Sequence, residues 1–331
     1  MNNLLLIILL AIGSFVLTWL IIRIALRKNI VSIPNERSLH LLPTPVGGGL
    51  AIIFSWYTGI TFLFLNQSLD KDLYFALMSG IILTVISFID DLVTIRPSVR
   101  LLFHFAAASA AFYFLGGLRP FIIPGIDFDY RFISYPLAII GIVWFINLFN
   151  FMDGVDGFAS IEATSICIVI YILSGNMINI FLIACISGFL IWNLPKAKIF
   201  MGDVGSTQLG FVLVILGIYF HNTFQFSILN WIMLSSPFWF DATLTLYRRW
   251  RNGERLSKAH KKHAYQRIVQ YGFSHMKVNL WLLLINIFVV VMILVYREFK
   301  FLQAPLFLLT LIFFYFITRQ VDRRIPFAKE K

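Results

Sequence analysis

Long apolar segments separated by short polar ones follow one another along nearly the whole chain of 331 residues. A helix needs about 20 apolar residues to cross a bilayer, and most of these segments reach or approach that length. Because the segments are continuously apolar and too long for barrel strands, they predict transmembrane helices rather than a barrel. Eleven spans are predicted, over residues 4–22, 47–65, 73–89, 101–118, 132–150, 158–173, 177–194, 209–220, 226–247, 278–296 and 301–318.

The composition agrees with this pattern. Hydrophobic residues make up 59% of the chain and charged residues only 13%, whereas soluble domains contain about 25% charged residues. The expected fold class is therefore an all-α polytopic membrane protein, organised as a single transmembrane domain over residues 1–331. The eighth span is short, and only a few polar residues at 221–225 separate it from the ninth. A count of ten or twelve spans is therefore an alternative to eleven.

The basic residues are distributed unevenly between the two sides of the predicted membrane domain. With eleven spans and the N-terminus outside, the cytoplasmic segments and the C-terminal tail hold 22 of the 27 lysines and arginines. Because basic residues are retained on the cytoplasmic side, this bias predicts an outside N-terminus and a cytoplasmic C-terminus. The net charge of +11 is then mainly a signal of topology, and it does not predict a nucleic-acid partner.

Five aspartates lie at the predicted cytoplasmic ends of spans, in three separate parts of the chain: Asp90, Asp91, Asp153, Asp156 and Asp203. Ionisable groups at a membrane edge are costly and tend to be functional. The adjacent carboxylates Asp90 and Asp91 repel each other, and a cation or a proton relieves this repulsion. Mg²⁺ is a hard cation that prefers a few carboxylates together with substrate phosphates. This pair is therefore a candidate magnesium site.

Two motifs combine these acids with glycine. Residues 150–157 are N-F-M-D-G-V-D-G, and residues 200–206 are F-M-G-D-V-G-S. Glycines permit tight turns where a helix begins, so that acids face a ligand while freed backbone N–H groups bind phosphate. The second motif places Asp203 at a helix N-terminus, with Asn193 shortly before it and Phe200 as a flat face for stacking.

The longest basic segment, residues 248–277, contains A-H-K-K-H-A-Y-Q-R at 259–267. His260 and His263 are three residues apart and would share one helical face. They could bind a metal, but no third metal ligand is spaced near them. The preferred interpretation is therefore that this cationic loop contacts a diphosphate. This loop is expected to build an active site on the cytoplasmic face together with segments 24–46, 90–100, 150–158 and 194–208.

These motifs, in this order, resemble the polyprenyl-phosphate N-acetylhexosamine-1-phosphate transferases of glycosyltransferase family 4. The resemblance covers residues 33–267 and includes P-T-P-V-G-G-G at 43–49. The histidine motif is most similar to that of the subgroup that initiates O-antigen synthesis with UDP-linked deoxy-aminosugars. The resemblance implies transfer of a phospho-N-acetyl-aminosugar from a UDP-sugar to undecaprenyl phosphate, with release of UMP. The peptidoglycan or teichoic-acid branch of the same family stays open as an alternative.

The resemblance also implies roles for individual residues. Mg²⁺, with Mn²⁺ as an alternative, would be held by Asp203 with Asn150 and Asp90 nearby, and Asp90 or Asp91 would assist the lipid phosphate. Independently of the resemblance, a pocket lined by Tyr265 and alkyl stems is expected to favour a 6-deoxy sugar, because the methyl group of such a sugar gains from burial. The residues expected to hold uridine or the diphosphate are Asp153, Asp156, Asn193, Phe200, His260, His263 and Arg267.

The expected location is the bacterial cytoplasmic (inner) membrane. Assembly into a homodimer is left as an alternative to a monomer. A membrane transporter is the alternative from a different class, because Glu162 and Asp241 lie within predicted spans and intramembrane acids often mark ion paths. Transporter sites usually lie near the bilayer midplane. Since most of the acids are predicted at one membrane face instead, an enzyme is favoured.

Overall fold

The computed structural model describes residues 3–34, 38–40, 42–93, 95–119, 131–258 and 260–327. Within these ranges the chain forms helices and one short antiparallel ribbon, in which β1 (Val31–Ser32) pairs with β2 (Thr44–Pro45). The helices are α1 (Asn3–Arg27), α2 (Gly49–Leu65), α3 (Lys71–Met78), α4 (Ile81–Leu92), α5 (Pro97–Phe114), α6 (Arg131–Phe151), α7 (Phe158–Ser174), α8 (Ile178–Asn193), α9 (Gly202–Asn222), α10 (Ile228–Leu234), α11 (Ser236–Arg251), α12 (Ala264–Gln270), α13 (His275–Glu298) and α14 (Gln303–Arg324).

Among the described residues, six helical segments are long and apolar enough to cross a membrane, and α2, α7 and α8 are shorter apolar helices. The expectation of an all-α polytopic membrane protein is therefore confirmed. Each predicted span overlaps one or two of these helices. The number of crossings and the orientation stay predictions. The six long segments are Asn3–Arg27, Lys71–Asp91, Ile133–Phe151, Gly202–Asn222, His275–Glu298 and Lys300–Arg324.

Helix α9 lies at the centre of the bundle, and nearly all of its residues are buried. It packs against α2, α4, α6 and α7. The sequence pattern predicts a short span at 209–220, whereas α9 begins seven residues earlier, at Gly202. The polar G-D-x-G-S stretch is thus the first turn of a buried helix. This placement brings Asp203 to the polar end of the central helix.

Glycines allow the start of α2 to approach the start of α9 closely. A methyl group on Gly49 would overlap the backbone of Gly205, and one on Gly205 would overlap Gly49. The backbone N–H of Gly48 donates to the carbonyl of Phe200 (3.0 Å), and that of Gly49 donates to the carbonyl of Met201 (2.9 Å). The glycine run at 47–49 therefore fixes the segment that leads into α9.

Two of the predicted spans are each formed by two helices. The third is divided at Ser79 and Gly80, where a methyl group on Gly80 would overlap Gln208 and Phe211 of α9. The ninth is divided at Ser235, and Pro237 lies in the first turn of α11. Proline has no N–H to continue the ladder of the preceding helix, but it is well accommodated in a first turn.

Candidate active site

The loops that carry the sequence motifs meet at one end of the bundle, around Asp203. Helix α6 ends beside α9, and the Asn150 amide donates to Asp203 Oδ1 (3.1 Å) and to Ser206 Oγ (2.9 Å). The Thr207 hydroxyl donates to the Asp203 carbonyl (2.6 Å). Asn150 and Asp203, which are 53 residues apart, are therefore brought into direct contact. Ser206 belongs to the same hydrogen-bonded cluster, although the sequence pattern assigned it no role of its own.

An arginine connects the Asp90–Asp91 pair with Asp203. Arg100, in the first turn of α5, places Nη1 2.7 Å from Asp90 Oδ2 and 3.1 Å from Asp203 Oδ2. The backbone N–H of Ile95 donates to the other oxygen of Asp90 (2.6 Å). Asp91 is exposed beside this cluster. The sequence pattern identifies Arg100 only as one of the basic residues on the cytoplasmic side. Its position at the start of an apolar helix was the signal that could have marked it as a site residue.

Asp156 is the second aspartate of N-F-M-D-G-V-D-G, and its contacts hold two other segments of the chain in place. Its Oδ2 accepts backbone N–H bonds from Lys196 (3.1 Å) and Ala197 (3.3 Å) and lies 3.1 Å from Nδ1 of His275. The Asn279 side chain donates to the Asp156 carbonyl (2.8 Å). Asp156 therefore ties the loop after α6 to the loop after α8 and to the start of α13.

The two glycines of N-F-M-D-G-V-D-G meet different requirements. Gly157 has a φ of +77°, a conformation that glycine adopts without steric cost, and its N–H donates to Asn193 Oδ1 (3.0 Å). Gly154 leaves room for α12, because a methyl group there would overlap the Tyr265 hydroxyl. Asn193 in turn donates to the Ile199 carbonyl (2.9 Å). The motif is therefore a junction on which the surrounding loops pack.

A cavity of about 280 Å³ opens between these loops. Asp153 lines it, and burial, followed by the charges of Asp203 and Asp156, raises the pKa of Asp153 well above its usual range. On another wall the Phe200 and His40 rings meet edge to face with centroids 4.8 Å apart. Six predicted site residues line this cavity, joined by three that were not assigned a role: Asn150, Asp153, Asp156, Asn193, Phe200 and Asp203, with His40, Gln266 and His275.

The histidine loop packs beside the cavity and carries less charge than expected. Burial and the charge of neighbouring His263 lower the pKa of His260 to about 3. Burial and the Arg249 charge lower the pKa of His263 to about 3, and only 2% of its surface is exposed. Both imidazoles are therefore neutral near pH 7, so they offer hydrogen bonds rather than positive charge. Neither residue lines the cavity.

Two further residues of this loop face the protein interior. Arg267 is 4% exposed, binds Asp322 of α14 (2.7 Å) and is not among the residues that line the cavity. Tyr265 is also 4% exposed, stacks on Phe158 and donates to the Phe151 carbonyl (3.0 Å). Tyr265 is not among the residues that line the cavity beside Asp203, and its role in a sugar pocket stays a prediction. The Tyr265 hydroxyl anchors α12 to the end of α6.

The two intramembrane acids singled out by the sequence both pair within the protein. Glu162 is fully buried and accepts a hydrogen bond from Asn286 of α13 (2.7 Å). Asp241 accepts the backbone N–H groups of Ala264 (2.9 Å) and Tyr265 (3.4 Å) at the start of α12. These contacts give each acid a role in joining helices, and they supply no support for an ion path.

The donor set around Asp203 suits a hard cation. Within the described ranges, no three His, Cys, Asp or Glu side chains lie close enough to form a complete metal site. Asp90 and Asp203 nevertheless share one positively charged group, and Asn150 adds an amide. Mg²⁺ usually keeps waters and substrate phosphates among its ligands and needs only one or two carboxylates. The residues present therefore fit Mg²⁺ bound together with substrate.

Comparison with known proteins agrees with the motifs at this end of the bundle. Residues 73–221 match the model of glycosyl transferase family 4. The probable undecaprenyl-phosphate N-acetylglucosaminyl 1-phosphate transferase of Bacillus subtilis (strain 168) is 30% identical over 274 residues, covering 78% of this chain and 75% of the relative. The decaprenyl-phosphate N-acetylglucosaminephosphotransferase of Mycobacterium leprae (strain TN) is 28% identical, with 82% and 77% covered.

A third relative comes from another branch. The phospho-N-acetylmuramoyl-pentapeptide-transferase of Wolbachia pipientis wMel is 25% identical over 223 residues, covering 61% of this chain and 68% of the relative. The matched family region, residues 73–221, contains Asp90, Asn150 and Asp203, which converge in the structure. The chain therefore belongs to glycosyl transferase family 4 and is an enzyme of the polyprenyl-phosphate N-acetylhexosamine-1-phosphate transferase type.

Proposed function

We propose that this enzyme transfers a phospho-N-acetylhexosamine from a UDP-sugar to undecaprenyl phosphate at the cytoplasmic face of the bacterial inner membrane. The observation that carries the proposal is the convergence of Asp90, Asn150 and Asp203 on one point beside a polar cavity. An oxygen of the lipid phosphate forms the new bond to the sugar-linked β-phosphorus, and the bond from that phosphorus to UMP breaks. The lipid-linked sugar diphosphate would then begin a cell-surface polysaccharide of the O-antigen type.

Both reactants of this transfer are anions, so charge compensation and positioning are the main demands on the site. Asp203, Asn150 and Asp90 are the proposed residues for holding Mg²⁺, which would neutralise charge on the donor diphosphate. A lipid phosphate is already ionised near pH 7 and scarcely needs a base. Asp91 and Asp90 are therefore proposed to place the acceptor rather than to remove a proton from it.

The donor is proposed to bind along the cavity, with uridine beside Phe200 and the diphosphate toward Asp203. Phe200 is half-buried on the cavity wall, and its ring is supported by His40. Asp153 and Asn193 line the same cavity. Because Asp156 Oδ2 already accepts two backbone N–H groups, we propose that Asp156 acts mainly by shaping this pocket.

An N-acetylglucosamine donor is proposed over a deoxy-aminosugar. Two of the relatives carry N-acetylglucosamine in their names, and Tyr265, on which the preference for a 6-deoxy sugar was based, does not line the cavity beside Asp203. The histidine motif still differs from that of the peptidoglycan branch. UDP-N-acetylmuramoyl-pentapeptide is therefore expected to be a poor donor.

A UMP-release assay tests the proposed function directly. Membranes containing the enzyme are supplied with undecaprenyl phosphate, Mg²⁺ and one donor at a time: UDP-N-acetylglucosamine, UDP-N-acetylfucosamine, UDP-N-acetylmuramoyl-pentapeptide or UDP-glucose. We expect UMP release with an N-acetylhexosamine donor, and only when the lipid is present. Release without lipid would indicate a hydrolase and contradict the proposal. Fastest release with the pentapeptide donor would assign the enzyme to the peptidoglycan branch.

Phe200→Ala is expected to raise the KM for the UDP-sugar by about 10-fold and to change kcat less. Stacking of an aromatic side chain on a base contributes about 1–3 kcal/mol, and this binding is shared by the ground state and the transition state. Steady-state kinetics with varied donor measure the change. Phe200→Tyr keeps the ring and should retain the KM, while Phe301→Ala, an exposed phenylalanine between α13 and α14, is the matched control. A lower kcat with unchanged KM would indicate a structural role.

A further inference from the structure

Arg100 lies between the ends of two helices in the candidate active site. One nitrogen of its guanidinium, Nη1, contacts both Asp90 of α4 and Asp203 of α9. Its side chain is about one-third exposed (34%), whereas that of Asp90 is 11% exposed. Within the described part of the chain, these two carboxylates are the hydrogen-bond partners of its guanidinium. Arg100 can therefore leave them without breaking another hydrogen bond of its guanidinium to a described residue.

The two carboxylates held by Arg100 are the same two that are proposed to hold Mg²⁺. A divalent cation and a guanidinium repel each other, and they compete for the same oxygens. Asp90 and Asp203 both contact this guanidinium, and a nearby positive charge stabilises two carboxylates that lie at short range. Arg100 supplies that charge in the structure as described. Binding of a metal at Asp203 would thus displace the guanidinium.

The surroundings of Arg100 indicate where the displaced guanidinium would bind. Leu101, Leu102 and Phe103, which follow it in α5, are large apolar side chains exposed on the outside of the bundle. In a membrane protein such a surface faces lipid. Asp203 lines the polar cavity, whereas Arg100 is not among the residues that line it. Arg100 therefore lies next to an apolar surface suited to lipid and is partly exposed (34%), so a lipid phosphate at this surface could contact its guanidinium.

We propose that Arg100 alternates between two anions: it neutralises Asp90 and Asp203 in the empty enzyme, and it binds the phosphate of the lipid acceptor once a divalent cation has taken those carboxylates. A guanidinium is well suited to both tasks, because its planar N–H groups match carboxylate and phosphate oxygens equally well. The second half of this proposal depends on the proposed function, whereas the competition with metal does not.

Metal binding in the absence of substrates tests the first half. Purified Arg100→Gln in detergent is titrated with Mn²⁺ while free Mn²⁺ is followed by electron paramagnetic resonance. Removing a competing cation should tighten Mn²⁺ binding at least ~5-fold, the low end of couplings between linked sites. Arg96→Gln removes the same charge four residues earlier, at an exposed position with no contact to Asp90 or Asp203, and should leave the affinity unchanged. Unchanged or weaker binding in Arg100→Gln would overturn the competition.

Acceptor kinetics test the second half. Arg100→Gln should raise the KM for undecaprenyl phosphate at least ~10-fold and leave the KM for the UDP-sugar within about 2-fold, since a charge-assisted phosphate contact contributes roughly 1.5–3 kcal/mol, or about 10- to 100-fold. Arg100→Lys should recover part of the loss. A rise in the donor KM instead would place Arg100 at the donor and overturn this half. If the wild-type enzyme released no UMP, the proposed function would fail, but the Mn²⁺ titration would still decide the competition.

Discussion

Asp203→Asn is expected to lower kcat by at least ~100-fold while the protein still folds. Asp203 holds the central position of the site, where its carboxylate contacts both Arg100 and Asn150. The amide has nearly the same shape but no charge, so it neither attracts a metal nor balances Arg100. Loss of one such electrostatic contact to a reacting phosphate costs about two orders of magnitude or more in rate.

The measurement is UMP release at saturating donor and acceptor, together with thermal unfolding of the purified protein. Asp72→Asn is the matched control, because Asp72 is an exposed aspartate in the first turn of α3, away from the Asp203 cluster. It should retain full activity. An Asp203→Asn enzyme within a few-fold of wild type would remove Asp203 from the proposed metal site. A variant that no longer unfolds cooperatively would instead reveal a structural role, and Asp203→Glu would then test the charge.

Removal of divalent cations is expected to reduce turnover at least ~1000-fold. The acids at the site are hard oxygen ligands, and no described cluster of three metal-binding side chains offers a tighter site. Mg²⁺ should therefore bind mainly together with the donor diphosphate and should be removed readily by EDTA. In its absence, Arg100 is the remaining cation that contacts Asp203 among the described residues. A single arginine cannot neutralise the several charges of the two reactants.

Turnover is followed in EDTA and again after titration with Mg²⁺, Mn²⁺ or Ca²⁺. Mg²⁺ should restore the rate fully, Mn²⁺ should restore much of it, and Ca²⁺, which prefers a larger and more flexible ligand shell, should restore little. EDTA saturated with Mg²⁺ before addition controls for effects of the chelator on the membrane. Full turnover in excess EDTA would contradict a metal-dependent reaction.

The helical architecture could be predicted from the sequence because apolar length and continuity are local properties. Predictions were weakest where tertiary packing overrides local polarity. The start of α9 is polar and glycine-rich, yet it is part of a buried helix, and Gly205 in its first turns packs directly on Gly49 of α2. The ninth predicted span is two helices that meet at Ser235, and Pro237 lies in the first turn of the second one.

The candidate site was predicted as a set of residues, but its internal arrangement was not. The acids could be identified because a charge at the end of an apolar segment is conspicuous. The partners of those acids could not be identified, since Arg100 meets Asp203 across 103 residues and His275 meets Asp156 across 119. Arg267 and Tyr265 illustrate the opposite case. Both have the chemistry of substrate-binding residues, but both are buried against other helices.

The sequence by itself determined the membrane class, the approximate positions of the helices and the family, because these depend on hydrophobic length and on motifs that are continuous in the chain. The tertiary structure decided that α9 is the central helix, that Asp90 and Asp203 share one arginine, and that the neutral His263 is buried beside the cavity. These properties depend on which helix faces lie against each other. Some of these contacts join residues far apart in the chain, as Arg100 and Asp203 are across 103 residues, and no local pattern of hydrophobicity or charge encodes them.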